Sequence, residues 1–316
     1  MKDSSPNINI EFFSKFSVEK MIIGNDLDAL LSSCLLKSKF GWDIVGIYDY
    51  HTIWFDAKQT KQDFLKNLKS QKYIAVDLDI YRNYLPSVGH HILSLHPDDI
   101  LPQHENTLNP NLLRGITHEK FKQKYPMGTV HFLMWLFDDY LKITRLGELL
   151  LWLADSTFIN AQSHRFRENV KDWLENFVPN NILKNGFDAV DTKAFETEVR
   201  KSAFPVLYKT GLGRGKGQVK SRHLKLQGYQ CQWMNPNDSR KKIINLLQII
   251  KENLEWESPH LPESFNFING TRDSKRIKSS ELNQKEFLRR FLGDKKVFSY
   301  VITNKNLINF TTGIDY

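Results

Sequence analysis

The chain has 316 residues, of which 41% are hydrophobic, and a formal net charge of +8. This composition argues against intrinsic disorder, and two cysteines are too few for a disulfide framework or a cysteine-based zinc site. Because the cysteines fit a reducing compartment, the N-terminus is polar and no apolar run reaches about 18 residues, we predict a cytoplasmic protein without a membrane partner.

The first 160 residues alternate between strand-like and helix-like patterns. Apolar runs predict buried strands at residues 20–24, 43–48 and 71–76, and the spacing of apolar residues predicts helices over 28–39 and 58–70. A repeat of strand, helix and strand with apolar strands is typical of a parallel sheet covered on both faces. We therefore expect an α/β protein whose ligands bind at the carboxyl ends of the strands.

Further helices are predicted within residues 118–176, and Pro179 with the polar residues after it marks a boundary. The length suits one large domain or two ordinary ones. We expect two, namely a parallel-sheet domain of residues 1–185 and a smaller α+β domain of residues 186–316.

The second predicted domain is basic. Residues 201–316 hold 21 Lys and Arg against 10 Asp and Glu, a balance of +11, whereas the first 200 residues balance at −3. An amphipathic helix is predicted over 241–254, and apolar runs at 297–302 and 307–310 predict a terminal hairpin. The excess of positive charge indicates a polyanionic partner.

Several loops of the first domain carry side chains that bind hard metal ions. They are Asp26, Asp28, Asp77, Asp79, His90, His91 and Asp155. Carboxylates with imidazole suit Mn²⁺, Mg²⁺ or Zn²⁺, and the first two pairs follow predicted strands. Each Asp has an alternative role, because Asp also caps helices and favours the turns where strands end.

These motifs, taken in order, resemble the DHH phosphoesterases, which include RecJ-type exonucleases, nanoRNA phosphodiesterases and manganese pyrophosphatases. The resemblance covers about residues 20–165. The matching segments are Asp26-Leu-Asp28 followed by Ser32, Ala75-Val76-Asp77, Gly89-His90-His91, Leu101-Pro102, Asn109-Pro110-Asn111 and Leu151-Trp-Leu-Ala-Asp155. The resemblance implies a DHH-like fold for the first domain.

The resemblance also implies a metal-dependent phosphoesterase that uses one or two Mn²⁺ or Mg²⁺ ions. The implied metal ligands are Asp26, Asp28, Asp77, His90 and Asp155. By position, Asp77 would bridge two ions, and Asp28, His90 and Asp155 would complete one of them. Asp77 and His91 would be the catalytic residues, with His91 contacting the scissile phosphate.

The chain departs from the family pattern at two positions. Ile22 stands where many relatives have a metal-binding His, and Gly89 stands where the Asp of Asp-His-His orients an imidazole. One metal site is therefore expected to be complete and the other depleted. An alternative register would bring residues 96–99, His-Pro-Asp-Asp, to the metals instead of His90.

The expected substrate is single-stranded nucleic acid or a short oligonucleotide, because a broad basic surface is unnecessary for a small substrate. The candidate substrate-binding residues are Arg165, Arg214, Lys216 and Arg222, three of them in or near the glycine-rich segment 211–217. A solvated helix charge or a solvated loop would explain the same residues. Two other functions stay open, a degenerate DHH fold that binds nucleic acid or a nucleotide, and a small-nucleotide phosphodiesterase.

Overall fold

The computed structural model describes residues 11–137, 143–157, 166–178, 183–185, 192–212, 231–282, 284–304 and 306–315. The chain divides into two compact units, and each is built from separate segments. The helical unit takes its described residues from Asn25–Asp43 and Pro126–Leu261. The sheet unit takes its described residues from Ile10–Gly24, Ile44–Tyr125 and Pro262–Tyr316.

A seven-stranded sheet forms the centre of the sheet unit. Its strands are β1 (Lys20–Ile23), β2 (Asp43–Tyr48), β3 (Thr52–Asp56), β4 (Tyr73–Val76), β5 (Ser87–Val88), β6 (Thr107–Leu108) and β7 (Phe265–Asn269). Their spatial order is β6-β5-β4-β1-β2-β3-β7. The pairs β1/β4, β4/β5 and β5/β6 are parallel, and this confirms the predicted α/β class with a parallel sheet.

The sheet also has an antiparallel part that the sequence did not predict. Strand β3 pairs antiparallel with both β2 and β7. Because β7 comes from the C-terminal part of the chain, the sheet joins residues from both sides of the predicted division at 185. The assignment of separate functions to residues 1–185 and 186–316 stays a prediction.

A second, three-stranded antiparallel sheet belongs to the same unit. It contains β8 (Thr271–Arg276), β9 (Val297–Asn304) and β10 (Leu307–Thr312) in the order β8-β10-β9. The pairing of β9 with β10 confirms the predicted terminal hairpin. Single bridges from Ile80 to Ser299 and from Ile92 to Ile302 join β9 to the loops that follow β4 and β5.

The helices include those predicted at 28–39, 58–70, within 118–176 and at 241–254, together with others that the sequence did not predict. In chain order they are α1 (Leu27–Phe40), α2 (Lys61–Lys69), α3 (Pro110–Leu113), α4 (Thr129–Leu136), α5 (Arg145–Leu153), α6 (Arg167–Asn176), α7 (Thr192–Glu198), α8 (Phe204–Thr210), α9 (Pro236–Leu254), α10 (Ser279–Leu282) and α11 (Phe287–Asp294). No helix in the described ranges combines the length and apolar character needed to cross a membrane.

Helix α1 is the central element of the helical unit. It packs against α4, α5 and α9, and every residue from Leu27 to Leu36 is buried. The helix ends at Gly41, whose φ of +76° lies in the left-handed region that glycine adopts without steric cost. The burial of α1 on all sides explains why its sequence is apolar rather than strongly amphipathic.

Asp43 is held by two hydrogen bonds within the helical unit. Its carboxylate accepts them from Lys37 Nζ at 2.8 Å and from the backbone N–H of His260 at 2.7 Å. Burial alone would raise the pKa of Asp43, but these two donors outweigh it and lower the pKa below its usual value. The folded state is therefore stabilised above the unfolded pKa of about 3.9, and this contribution is lost as the pH falls.

We expect Asp43→Asn to reduce the free energy of unfolding by about 1 kcal/mol at pH 7, a value discounted because the side chain is 36% exposed. The deficit should become smaller at pH 3, because the contribution of the ionised carboxylate decreases as the pH falls below the unfolded pKa. Urea unfolding at both pH values measures it, with the exposed Asp98→Asn as the control variant. An equal deficit at both pH values would contradict the assignment.

Candidate metal and phosphate site

Asp77 lies at the carboxyl end of β4 in the sheet unit. The register pairs Ile23 of β1 with Val76 of β4, and the N–H of Gly24 donates to the Val76 carbonyl at 3.1 Å. Asp77 follows with a φ of +58°, a left-handed conformation that Asp tolerates better than most residues. The strand therefore ends with a sharp turn that puts this Asp at the edge of the sheet where ligands bind in such folds.

His90 lies beside Asp77. His90 Nδ1 is 3.3 Å from Asp77 Oδ1, and each side chain is 8% exposed. The backbone carbonyl of His90 accepts a hydrogen bond from Asn111 Nδ2 at 2.7 Å, and Asn111 Oδ1 accepts one from the Tyr125 N–H at 2.7 Å. The predicted pair of a carboxylate and an imidazole is thus present, buried and held by a buried amide.

His91 is paired with a different carboxylate, that of Asp79. The ring Nδ1 of His91 lies 2.7 Å from Asp79 Oδ2, and its backbone N–H donates to the same oxygen at 3.3 Å. Asn109 Nδ2 donates to Asp79 Oδ1 at 3.0 Å and to the His91 carbonyl at 2.9 Å. The rings of His90 and His91 stack with centroids 4.4 Å apart. Sequence reasoning named Asp79 as a candidate ligand but missed this pairing.

The segment Asn109-Pro110-Asn111 supports both histidines from the start of α3. Asn109 Oδ1 accepts a hydrogen bond from the Asn111 N–H at 2.8 Å and caps the helix, and Pro110 occupies its first turn. The two asparagine amides then point their Nδ2 groups at the backbone of His90 and His91. The motif is therefore structural in this chain, since it fixes the loop that carries the imidazoles.

Tyr50 reports the electrostatics of this region. Burial raises the pKa of its hydroxyl well above the usual value, and the negative charges of Asp79 and Asp77 raise it further. Tyr50 therefore stays a neutral phenol. Asp77 and Asp79 lie close enough to Tyr50 to disfavour a further negative charge on its hydroxyl. A divalent cation neutralises this kind of environment.

Residues 96–99 of the alternative register make other contacts in this fold. Asp99 Oδ2 accepts hydrogen bonds from the backbone N–H groups of Leu95 and His96 at 2.7 and 2.9 Å, so this carboxylate closes a turn. His96 Nε2 bonds to the carbonyl of Leu282. The imidazole beside Asp77 belongs to His90 instead.

The first departure from the family pattern has a plain structural reason. Ile22 is 1% exposed and belongs to the apolar core of the sheet unit, together with Ile53 and Phe55. A buried β1 position among aliphatic and aromatic side chains offers no polar partner to a metal-binding histidine. The expectation of one depleted metal site stays a prediction.

Asp26 and Asp28 lie at the start of α1 in the helical unit. Asp26 Oδ1 accepts the Ala29 N–H at 3.2 Å and caps α1, which is the alternative role that the sequence left open. Asp28 is 1% exposed, and its two oxygens accept the N–H groups of Thr129 at 2.6 Å and Val130 at 2.9 Å. Asp28 thus binds the N-terminus of α4, about 100 residues away along the chain.

A close approach between α1 and α4 makes this contact. A Cβ atom placed on Gly128 would lie 2.5 Å from Asp28 Oδ2, so the position before α4 accepts only glycine without a shift. The Gly128 N–H donates to His131 Nδ1 at 3.0 Å, and His131 Nε2 bonds to the Leu151 carbonyl at 2.9 Å. His131 is therefore a neutral packing residue.

Asp155 follows α5 in a short turn of residues 154–156. Its φ of +43° is in the left-handed region, and the turn packs against α1, the helix that carries Asp26 and Asp28. The helical unit thus packs the turn that carries Asp155 against the helix that begins at Asp26 and Asp28. The predicted substrate-binding residues Arg165, Arg214, Lys216 and Arg222 lie outside the described residues.

Comparison with known proteins identifies no relative. No family model matches the chain, and neither a curated protein nor a solved structure matches it. The resemblance of this chain to the DHH phosphoesterases therefore rests on the sequence motifs between residues 20 and 165, and it stays a prediction.

Proposed function

We propose that the protein is a metal-dependent phosphodiesterase that acts on single-stranded nucleic acid or short oligonucleotides. The observation that carries the proposal is the buried Asp77–His90 pair at the carboxyl end of β4, with the Asp79–His91 pair beside it. Carboxylates and imidazoles buried together are expensive unless a cation or a substrate uses them.

The donor set fits Mn²⁺ or Mg²⁺. Asp28, Asp77 and His90 are all buried and offer two carboxylates and one imidazole, which are ligands that these ions accept. Asp26 and Asp155 are the proposed additional ligands.

Each residue of the candidate site has a separate proposed role. A bound divalent ion supplies Lewis acidity to the phosphoryl group and lowers the pKa of water. Asn111 holds His90 in place, and Asp79 holds the Nδ1 side of His91. The His91 side chain is 34% exposed, so its Nε2 is the atom proposed to contact a phosphate oxygen. Burial of Asp77 excludes water from the carboxylate and strengthens its interaction with a cation.

The polymeric substrate is proposed from charge. Residues 201–316 carry a balance of +11, and a strand of phosphates gains affinity from each basic side chain that it meets. Arg165, Arg214, Lys216 and Arg222 are proposed to provide these contacts. A cytoplasmic location is proposed from Cys34 and Cys231, both of which are buried thiols.

A second candidate function is a binding protein that has lost catalysis. Ile22 in the apolar core favours it, because many DHH phosphoesterases have a metal-binding His at the position that it matches. Such a protein would bind Mn²⁺ and single strands without cleaving them.

The test incubates the full chain with Mn²⁺ and either 5′-labelled single strands of DNA and RNA or dinucleotides. We expect cleavage of single strands, and EDTA should abolish it. Cleavage of dinucleotides alone would replace the polymer proposal with a small-nucleotide phosphodiesterase. Binding of Mn²⁺ and of single strands with no cleavage of any substrate would overturn the enzyme proposal in favour of the binding protein.

A further inference from the structure

Gly89 and Asp79 share one small volume next to His91. A Cβ atom placed on Gly89 would overlap Asp79 Oδ1, and it would lie 2.7 Å from Asp79 Cγ and 2.9 Å from the carbonyl oxygen of Leu78. A Cβ is essentially never found at such distances from neighbouring atoms. The absence of a side chain at position 89 is therefore what allows the Asp79 carboxylate to occupy its place.

The contacts of Asp79 suit a residue that holds an imidazole in place rather than a residue that binds a ligand itself. It is 0% exposed, and both oxygens are engaged, Oδ2 by the ring and N–H of His91 and Oδ1 by Asn109. Asp77, two residues earlier, contacts His90 instead. The turn after β4 thus supplies one carboxylate for each histidine.

We propose that Asp79 is the positioning residue of His91, and that Gly89 is required because it makes room for it. Position 89 carries no carboxylate, and Asp79 in the turn after β4 supplies one to His91 instead. An ionised carboxylate only accepts hydrogen bonds, so His91 carries its proton on Nδ1 and presents a bare Nε2 when the ring is neutral. What His91 contacts with that atom rests on the proposed function, but its tautomer does not.

The pairing is also geometrically selective. The ring of His91 is held at Nδ1 by Asp79, and its backbone is held at both the N–H and the carbonyl by Asp79 and Asn109. Three contacts on one residue fix the direction of the ring as well as its protonated nitrogen. A carboxylate that holds an imidazole in this way is worth about 10–100-fold in activity or affinity in comparable sites.

The tautomer gives a readout that is independent of activity. In the metal-free full chain labelled with ¹⁵N, two-dimensional NMR of the imidazole rings at a pH where they are neutral should show His91 as the Nδ1–H form. His91→Gln removes the signal and so assigns it. A wild-type His91 in the Nε2–H form would overturn the proposal without any substitution at Asp79.

Substitutions then test the shared volume. Asp79→Asn should convert His91 to the Nε2–H form or to a mixture, and it should lower kcat by about 10–100-fold with little change in KM. Gly89→Ala places a Cβ against the Asp79 carboxylate and should disturb the Nδ1–H form of His91 in the same way.

The outcomes separate the two proposals. If the wild type cleaves no substrate, the phosphodiesterase proposal fails, while the tautomers of wild type and Asp79→Asn still test the pairing. If Asp79→Asn folds as judged by circular dichroism and keeps both the Nδ1–H form and the wild-type kcat, Asp79 has no positioning role. Retention of the Nδ1–H form in Gly89→Ala would show that Asp79 does not require glycine at position 89.

Discussion

Replacing Asp77 with asparagine is expected to lower the rate of phosphodiester hydrolysis by about 10³-fold and to weaken Mn²⁺ binding at the same site. The carboxylate is buried, adjoins His90, and is proposed to be a ligand of the ion, whose contribution to the transition state is several kcal/mol. Asparagine keeps one oxygen but removes the negative charge. It is preferred to alanine because Asp77 has a φ of +58°, a conformation that asparagine also tolerates.

The matched control for this experiment is Asp98→Asn. Asp98 is an exposed carboxylate in the same unit and belongs to the alternative register through residues 96–99. It should keep wild-type hydrolysis and wild-type Mn²⁺ affinity, measured by titration of free Mn²⁺ with electron paramagnetic resonance. Full activity in the Asp77 variant would show that the site is wrongly assigned, and loss of activity in the Asp98 variant would favour the other register.

The parallel part of the fold was predictable because its signals are local. Strands β1, β2 and β4 were predicted at residues 20–24, 43–48 and 71–76 and are observed at Lys20–Ile23, Asp43–Tyr48 and Tyr73–Val76. Each is a short apolar run that ends in polar residues, and a strand buried on both faces needs nothing more. The same local pattern put Asp77 at the end of a strand.

The antiparallel part was missed because its determinants are distant in sequence. Strand β3 lies between two predicted elements, and it is completed by β7, more than 200 residues later. Only five residues long, β3 has an alternation too short to stand out from the surrounding loop. Whether β3 pairs with β7 depends on contacts made throughout the folded chain. No short segment of the sequence contains that information.

The candidate site also has one part that the sequence predicted and one part that it did not. The resemblance to the DHH phosphoesterases implied that Asp77 and His90 would lie close together, and the two side chains are 3.3 Å apart. The Asp79–His91 pair was not predictable from the residue types alone, because Gly89 looked like a lost carboxylate rather than space for another one. A glycine at a motif position indicates either loss of function or close packing, and only the structure distinguishes them.

Asp28→Ala is expected to reduce the free energy of unfolding of the metal-free protein by about 3 kcal/mol. The substitution leaves the N–H groups of Thr129 and Val130 buried without their acceptor, and it removes a negative charge from the N-terminus of α4. Urea unfolding in EDTA measures the change. Asp26→Ala is the matched control in EDTA, because it removes the cap of α1 and should cost about 1 kcal/mol.

Repeating the urea unfolding of the wild type and of Asp28→Ala with saturating Mn²⁺ separates the structural role of Asp28 from its proposed role as a ligand. An ion that binds only the folded state adds RT ln(1 + [Mn²⁺]/Kd) to the free energy of unfolding. If Asp28 is a ligand, the gain from Mn²⁺ should be smaller in Asp28→Ala than in the wild type, so the deficit widens beyond its value in EDTA. An unchanged deficit would make Asp28 purely a structural acceptor for α4, and it would leave the ion to Asp77 and His90.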